Sequence, residues 1–210
     1  HITTGDGGVV ASNDETYGPK LPRYGDKGFD RLKPGQFEFF STNYRMSETQ
    51  AAVGAGQLTR LEDIIASRAK LGNLLSEKIS GLKGVTPHNV HAEDRCSYWF
   101  YMFRIDPKAL TCDRAQFVKA LAAEGVPASA GYIPVTMHKN PVFQQHGFFA
   151  GKWPVKDLGL TTMDFTKHET PEADAILLTG IRVTIHEAMT EQYIDEVATG
   201  IRKVAQHYAA

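Results

Sequence analysis

The rhythm of apolar and polar residues changes several times along this chain, and each change marks an expected element. Residues 2 to 12 alternate and then run apolar through Gly7-Gly8-Val9-Val10-Ala11, the pattern of a buried strand, and Ser12-Asn13-Asp14 supplies turn chemistry at its end. Residues 17 to 42 lose all period. They carry Pro19, Pro22, Pro34, Gly18, Gly25, Gly28 and Gly35, so a long irregular loop is expected. Interleaved aromatics (Tyr24, Phe29, Phe37, Phe39, Phe40) argue that this loop is packed and functional. Ser47-Glu48-Thr49-Gln50 then fits a capping box, in which the hydroxyl and the glutamine amide each satisfy an orphan backbone donor. It opens a helix whose apolar stripe includes Val53, Leu58, Leu61, Ile64, Leu71, Leu75 and Ile79, in steps mostly of three or four. That helix is expected to end near Gly81 or Gly84, with a break around Gly54 to Gly56 or Gly72.

Beyond it the pattern turns to mixed α/β. Val85 to Val90, Ser97 to Ile105 and Ile181 to Ile185 read as strands, the second rich in aromatics that suit a sheet core. Asp113 caps a helix carrying Phe117, Val118 and Leu121 that Gly125 stops. Asn140-Pro141 and Thr170-Pro171 each pair a cap with proline at the first helical position, and Thr190 opens a final amphipathic helix through Ile194, Val197, Ile201 and Val204. The pattern divides into the end of one domain (residues 1–46), a linking helix (47–82) and a smaller α/β domain (83–210).

Composition narrows the classes. A chain of 210 residues, 42% hydrophobic and 22% charged, buries a core. Its net charge of −1 at pH 7 gives no long-range attraction for nucleic acid or an acidic membrane surface. No apolar run approaches the roughly 20 residues of a membrane helix, and no signal peptide is visible. Cys96 and Cys112 are too few for a disulfide framework, so a reducing cytoplasm is the expected home. His88 and His91 sit on opposite faces of an expected strand with no third ligand near, which argues against metal.

Two short runs carry the strongest chemical signal. His1-Ile2-Thr3-Thr4-Gly5-Asp6-Gly7-Gly8, followed by Asn43-Tyr44-Arg45-Met46, resembles the paired signature of the DegT/StrS sugar aminotransferases, which use pyridoxal phosphate. In that family the first stretch reads Lys-x-[Ile/Leu/Met]-Thr-[Thr/Ser]-Gly-[Glu/Asp]-Gly-Gly, and its lysine holds the cofactor as a Schiff base. The match begins at the x position, so that lysine would immediately precede His1. Ser47-Glu-Thr-Gln-Ala-Ala52, Gly131-Tyr-Ile-Pro134 with His138, and Ile185-His186 resemble three further family stretches.

The resemblance implies a type I pyridoxal-phosphate fold, of which this chain supplies the end of the large domain and the smaller C-terminal domain. It implies a homodimer with shared active sites, in which Asn43 reaches across to the cofactor phosphate of the other subunit, an amide donor suiting phosphate oxygens. Arg45, two residues on and on the same face of an extended segment, then suits an anionic substrate group as a bidentate fork. Tyr132, His138 and His186 are the further substrate-pocket candidates. On the residues alone, Asn43 better suits a turn before the helix, Arg45 equally suits a surface ion pair, and each histidine is more often a packed or surface residue. The implied activity is transfer of an amino group from glutamate or glutamine to a keto-sugar or keto-cyclitol. Relatives with histidine in place of the lysine are sugar dehydratases, and a non-catalytic sugar sensor is the third alternative. His1 does not bear on that choice, because the replaced position lies two residues before Ile2.

Overall fold

The computed structural model describes residues 1–33 and 35–210; Pro34, one of the prolines of the expected loop, lies outside them. The chain forms two compact units, His1–Ile64 and Ile65–Ala210.

In the first unit the expected strand over residues 2 to 12 does not form. A strand needs a neighbour for its backbone groups, and no described residue pairs with this segment, which leaves Val9 and Val10 exposed. The expected irregular loop is more ordered than its composition suggested. A 3-10 turn over Gly18–Lys20 leads into a short helix α1 (Leu21–Gly25), and isolated bridges join Asp26 to Asn43 and Phe29 to Phe37. Helix α2 (Glu48–Leu58) begins where expected. Ser47 Oγ accepts from the Gln50 backbone N–H while Gln50 Oε1 accepts from the Ser47 N–H, a complete capping box.

The helical run breaks at Thr59-Arg60 rather than at a glycine, and resumes as α3 (Leu61–Lys78). Gly54, Gly56 and Gly72 are all helical, because two of them serve close packing. A Cβ on Gly72 would lie 2.5 Å from the Tyr98 ring, and one on Gly54 would lie 3.0 Å from Thr4 Cγ2. Gly72→Ala gains roughly 1 kcal/mol of helix propensity, but Tyr98 is fully buried with its hydroxyl donating to Asn73 Oδ1, so the ring has nowhere to move. Overpacking of this kind costs about 1–3 kcal/mol. We expect a net loss of stability in the second unit, measured as a lower denaturant midpoint at unchanged slope; a midpoint equal to or above wild type would show that the ring relaxes.

The second unit is a four-stranded antiparallel sheet in the order β1-β2-β4-β3, with β1 Val85–Thr86, β2 Tyr101–Ile105, β3 Ala128–Ala130 and β4 Gly180–Val183. All three long strand expectations shrink. The first stops at Thr86 before Pro87, the third ends at Val183, and the second starts only at Tyr101. Tyr98 adopts φ +45, a left-handed conformation that breaks the pleat, so residues 97 to 100 do not alternate as a strand would. Tyr98 goes into the core and Trp99 goes outward at 63% exposure, which corrects the expectation that the whole aromatic run is sheet core.

Directly opposed residues in the register, Tyr101 with Val183 and Phe103 with Ile181, share the buried face. Against it pack Leu71, Leu75 and Ile79 of α3, Phe117 and Leu121 of α4 (Arg114–Ala123), and the stripe Ile194, Val197, Ile201, Val204 of α8 (Glu191–Tyr208). Burying each such side chain is worth roughly 1.5–3 kcal/mol, against about 1 kcal/mol for a helix cap. Apolar packing therefore holds this unit, and the caps fix where its helices begin. Asp113 and Thr190 cap α4 and α8 as expected, each accepting from a backbone N–H in the first turn. Proline opens α5 (Pro141–Gln144) and α7 (Pro171–Thr179) as expected, but neither Asn140 nor Thr170 makes a side-chain cap bond; a further short helix, α6 (Pro154–Asp157), lies between them. Ser76 and the His88 backbone meet the Tyr101 hydroxyl inside the core, where burial pushes its pKa up to about 12. No described helix is long and apolar enough to cross a membrane.

Candidate functional site

The two leading motifs, far apart in sequence, meet in the first unit. Asp6, Gly7 and Gly8 line a groove of ≈ 930 Å³ together with Tyr44, Arg45 and Met46. Gly7 is closely packed there: a Cβ would lie 2.2 Å from Thr4 Oγ1, which would have to rotate away, and 3.3 Å from Met46 Cε, the second contact coming from the other motif. The α2 capping box joins them too, since Gln50 lines the groove and its Nε2 donates to the Asp6 carbonyl. Val9, Val10, Leu21 and Pro22 give the groove apolar walls; Tyr24 and Ser41 add hydroxyls.

Buried ion pairs fix the rim. Arg23 is the centre of the loop: Nη2 donates to Asp30 Oδ2 at 2.7 Å, Nη1 to the Pro19 carbonyl at 2.9 Å, and Nε lies 3.3 Å from Glu38. Asp30 is only 3% exposed, and its hydrogen bonds from Arg23 and then from the Leu32 N–H hold its carboxyl below the usual range. Burial pushes the neighbouring Asp26 carboxyl up, but Lys27 and Arg31 together outweigh it and the net direction is down. The backbone then zips shut, with Lys27 N–H donating to the Thr42 carbonyl and Tyr44 N–H to the Gly25 carbonyl. These carboxylates were not singled out in the sequence. Their signal was the alternation of Arg23, Asp26, Asp30 and Arg31 inside an otherwise proline- and glycine-rich stretch.

Asn43 sits on this zipped segment, exposed, its Oδ1 accepting from the Arg45 backbone N–H at 3.2 Å. It therefore has the turn role that its residue type allows, and its exposed amide nitrogen has no hydrogen-bond partner among the described residues. Arg45 lines both the large groove and an adjoining pocket of ≈ 380 Å³ that also contains Arg23 and Arg31. Those two arginines have carboxylate partners; among the described residues Arg45 has none. Arg45 thus brings to the groove a guanidinium with no carboxylate partner among the described residues, beside the Tyr24 hydroxyl, while the Ser41 hydroxyl and the Gln50 amide are engaged with the Tyr24 and Asp6 carbonyls.

The other three candidates lie in the second unit and separate. Tyr132 is half exposed, meeting Trp99 edge-on at 5.4 Å. His186 is exposed and follows Ile185, whose carbonyl accepts from Arg68 Nη1 at 2.7 Å; the same nitrogen reaches the Tyr98 and Trp99 carbonyls. Arg68 also pairs with Glu187 at 2.8 Å, so one guanidinium clamps the turn of Trp99 to the turn of His186. His138 is different. It is 7% exposed, packed edge-on against His168 at 5.1 Å, with Nε2 buried and unpartnered. His88 stands 3.7 Å from the Cys96 sulfur, and no group of three or more His, Cys, Asp or Glu among the described residues is arranged to hold a metal ion.

The family profile described as the DegT/DnrJ/EryC1/StrS aminotransferase family matches residues 1–202. The chain is 28% identical over 204 residues to a GDP-perosamine synthase from Caulobacter vibrioides, covering 97% of this chain and 49% of that protein. It is 30% identical over 163 residues to a putative L-glutamine:3-amino-2,3-dideoxy-scyllo-inosose aminotransferase from Micromonospora echinospora, covering 73% and 37%. Among solved structures, Helicobacter pylori PseC, an aminotransferase involved in the biosynthesis of pseudoaminic acid, superposes with a TM-score of 0.68 at 18% identity over 94% of this chain and 48% of that one. The chain spans about half the length of the curated relatives it matches. The shared fold is that of the pyridoxal-phosphate sugar aminotransferases.

Proposed function

The chain belongs to the DegT/DnrJ/EryC1/StrS aminotransferase family, and on that premise we propose that the protein transfers an amino group from glutamate or glutamine to a keto-sugar or keto-cyclitol. The observation that carries this reading is the convergence of the two motifs on one groove around the unpaired Arg45. Pyridoxal phosphate, when bound, supplies the electron sink that lets an amino group leave one carbon and join another. The donor set here fits such a group. Arg45 offers charge and Tyr24 a hydroxyl for an anionic end, and Val9, Val10, Leu21 and Pro22 offer apolar walls for a ring.

The chain's own residues bind and orient. Arg45 grips the donor carboxylate or a substrate phosphate, and Asn43, its Oδ1 already used, presents its amide nitrogen to the cofactor phosphate of a second subunit. Such sharing requires a homodimer, a reading supported by the apolar side chains this unit leaves in water, with Phe37 67% exposed and Tyr44 77%. The test is to incubate the full-length protein with pyridoxal phosphate, labelled glutamate or glutamine and a panel of keto-sugars and keto-cyclitols, following label into the acceptor by mass spectrometry. Label in an aminated product is the expected result. Loss of water from the acceptor without label transfer would overturn the reading in favour of dehydration, and no turnover with any acceptor would overturn catalysis.

A further inference from the structure

The second unit holds a thiol with a base beside it. Cys96 is partly exposed, and its sulfur stands 3.7 Å from His88 Nε2. The imidazole is held in place. The His88 N–H donates to the Tyr101 hydroxyl and its carbonyl accepts from Ser76 Oγ, while its ring meets Tyr98 edge-on at 5.3 Å. The Tyr98 N–H donates to the same sulfur at 3.4 Å, and Tyr98 is itself fixed by the bond from its hydroxyl to Asn73 Oδ1. A base and a backbone donor thus converge on one sulfur. The base can take up the thiol proton, and the donor supports the negative charge left behind.

Room for a second reactant lies at the pair. A pocket of ≈ 400 Å³, within the range of small-molecule sites, is lined by Cys96 and His88 together with His91 and Arg95. The other thiol has no such setting. Cys112 is buried, and burial, followed by the Asp113 charge, pushes its thiol up. We propose that Cys96 is a reversible modification site, at which the His88–Cys96 pair exchanges with a low-molecular-weight disulfide. His88 Nε2 takes the thiol proton, the Cys96 sulfur attacks one sulfur of the reagent, and the reagent's S–S bond breaks as the new one forms. The departing sulfur leaves as a thiolate and takes the proton back from His88. Cys96 is thereby oxidised to a mixed disulfide, and the departing half of the reagent is reduced to a thiol. Every group involved lies in the second unit, and the exchange is independent of amino transfer.

Oxidised glutathione at pH 7 is the probe, and peptide mass spectrometry of the full-length protein follows the adduct on each cysteine with time. In native protein Cys96 is expected to be modified faster than the same cysteine in urea-unfolded protein, and Cys112 more slowly than its unfolded counterpart; dithiothreitol should remove the adduct. Exposure alone does not give the first result, because a partly covered thiol without a base reacts no faster than an unfolded one. His88→Gln should slow native Cys96 roughly 5- to 30-fold, a ceiling set by the few per cent of a free thiol that is ionised at pH 7. Native Cys96 reacting no faster than unfolded Cys96 would overturn the proposal, as would a folded His88→Gln protein modified as fast as wild type. Should His88→Gln fail to fold, the comparison of native with unfolded wild type decides alone.

Discussion

Gly28→Ala is expected to unzip the loop that carries Asn43 and Arg45 while leaving the second unit intact. Gly28 has φ +77, and a Cβ there would lie 1.9 Å from the Phe39 carbonyl oxygen and 2.9 Å from its carbon. Both are backbone atoms, so no side chain can rotate away. Gly28 also donates to the Arg23 carbonyl and accepts from the Glu38 N–H, and its neighbour Lys27 donates to Thr42. Left-handed strain and two lost backbone hydrogen bonds together cost roughly 2–5 kcal/mol. Gly35, at φ +90 with nothing within 4 Å of its Cβ position, is the control: alanine there brings strain without collision. Amide hydrogen exchange reads the difference. Lys27, Glu38 and Tyr44 should lose protection in Gly28→Ala and largely keep it in Gly35→Ala, with Phe103 unchanged in both. Unchanged protection at Lys27 and Tyr44 would mean that the loop is not closed through Gly28.

Arg45→Lys is expected to spare the fold and damage the chemistry. Arg45 is exposed, pairs with no carboxylate among the described residues, and enters the hydrogen-bond pattern only through its backbone N–H to Asn43, which lysine retains. Lysine keeps the charge but loses the planar fork, a loss of roughly 1.5–3 kcal/mol at a charge-assisted bidentate site. On the aminotransferase reading, KM for whichever substrate carries the gripped anion rises about 10- to 150-fold, and the melting temperature stays within a degree or so of wild type. Measuring both half-reactions shows which substrate that is. Unchanged kinetics with a lowered melting temperature would make Arg45 structural.

What was legible in the sequence was what is decided locally. The caps at Ser47, Asp113 and Thr190 and the stripe of α8 are set within one or two helical turns, and the structure has them at the expected residues. Features that depend on a distant neighbour were misread. Residues 2 to 12 have strand composition but no partner here, and Gly72 looks like a helix breaker until Tyr98 is seen lying against it. The groove was not foreseen: the family resemblance pairs the two motifs, but nothing within either says that Met46 will lie against Gly7. Trp99 was read as sheet core with the rest of its aromatic run, because nothing in the sequence shows that a left-handed residue before it turns it outward. Asp26 and Asp30 escaped because buried carboxylates and solvated ones look alike in sequence.

The amide of Gln50 is occupied at both ends: its oxygen closes the helix cap on Ser47, and its nitrogen holds the Asp6 carbonyl. Glutamate closes a capping box as well as glutamine does, yet it would set a carboxylate oxygen against that carbonyl. The two residues are interchangeable for starting a helix and opposite for latching the first motif to it. A position that reads as secondary-structure grammar thus records a tertiary bond, and the Ser-Glu-Thr-Gln run is as much a fastening for the groove wall as it is the beginning of α2.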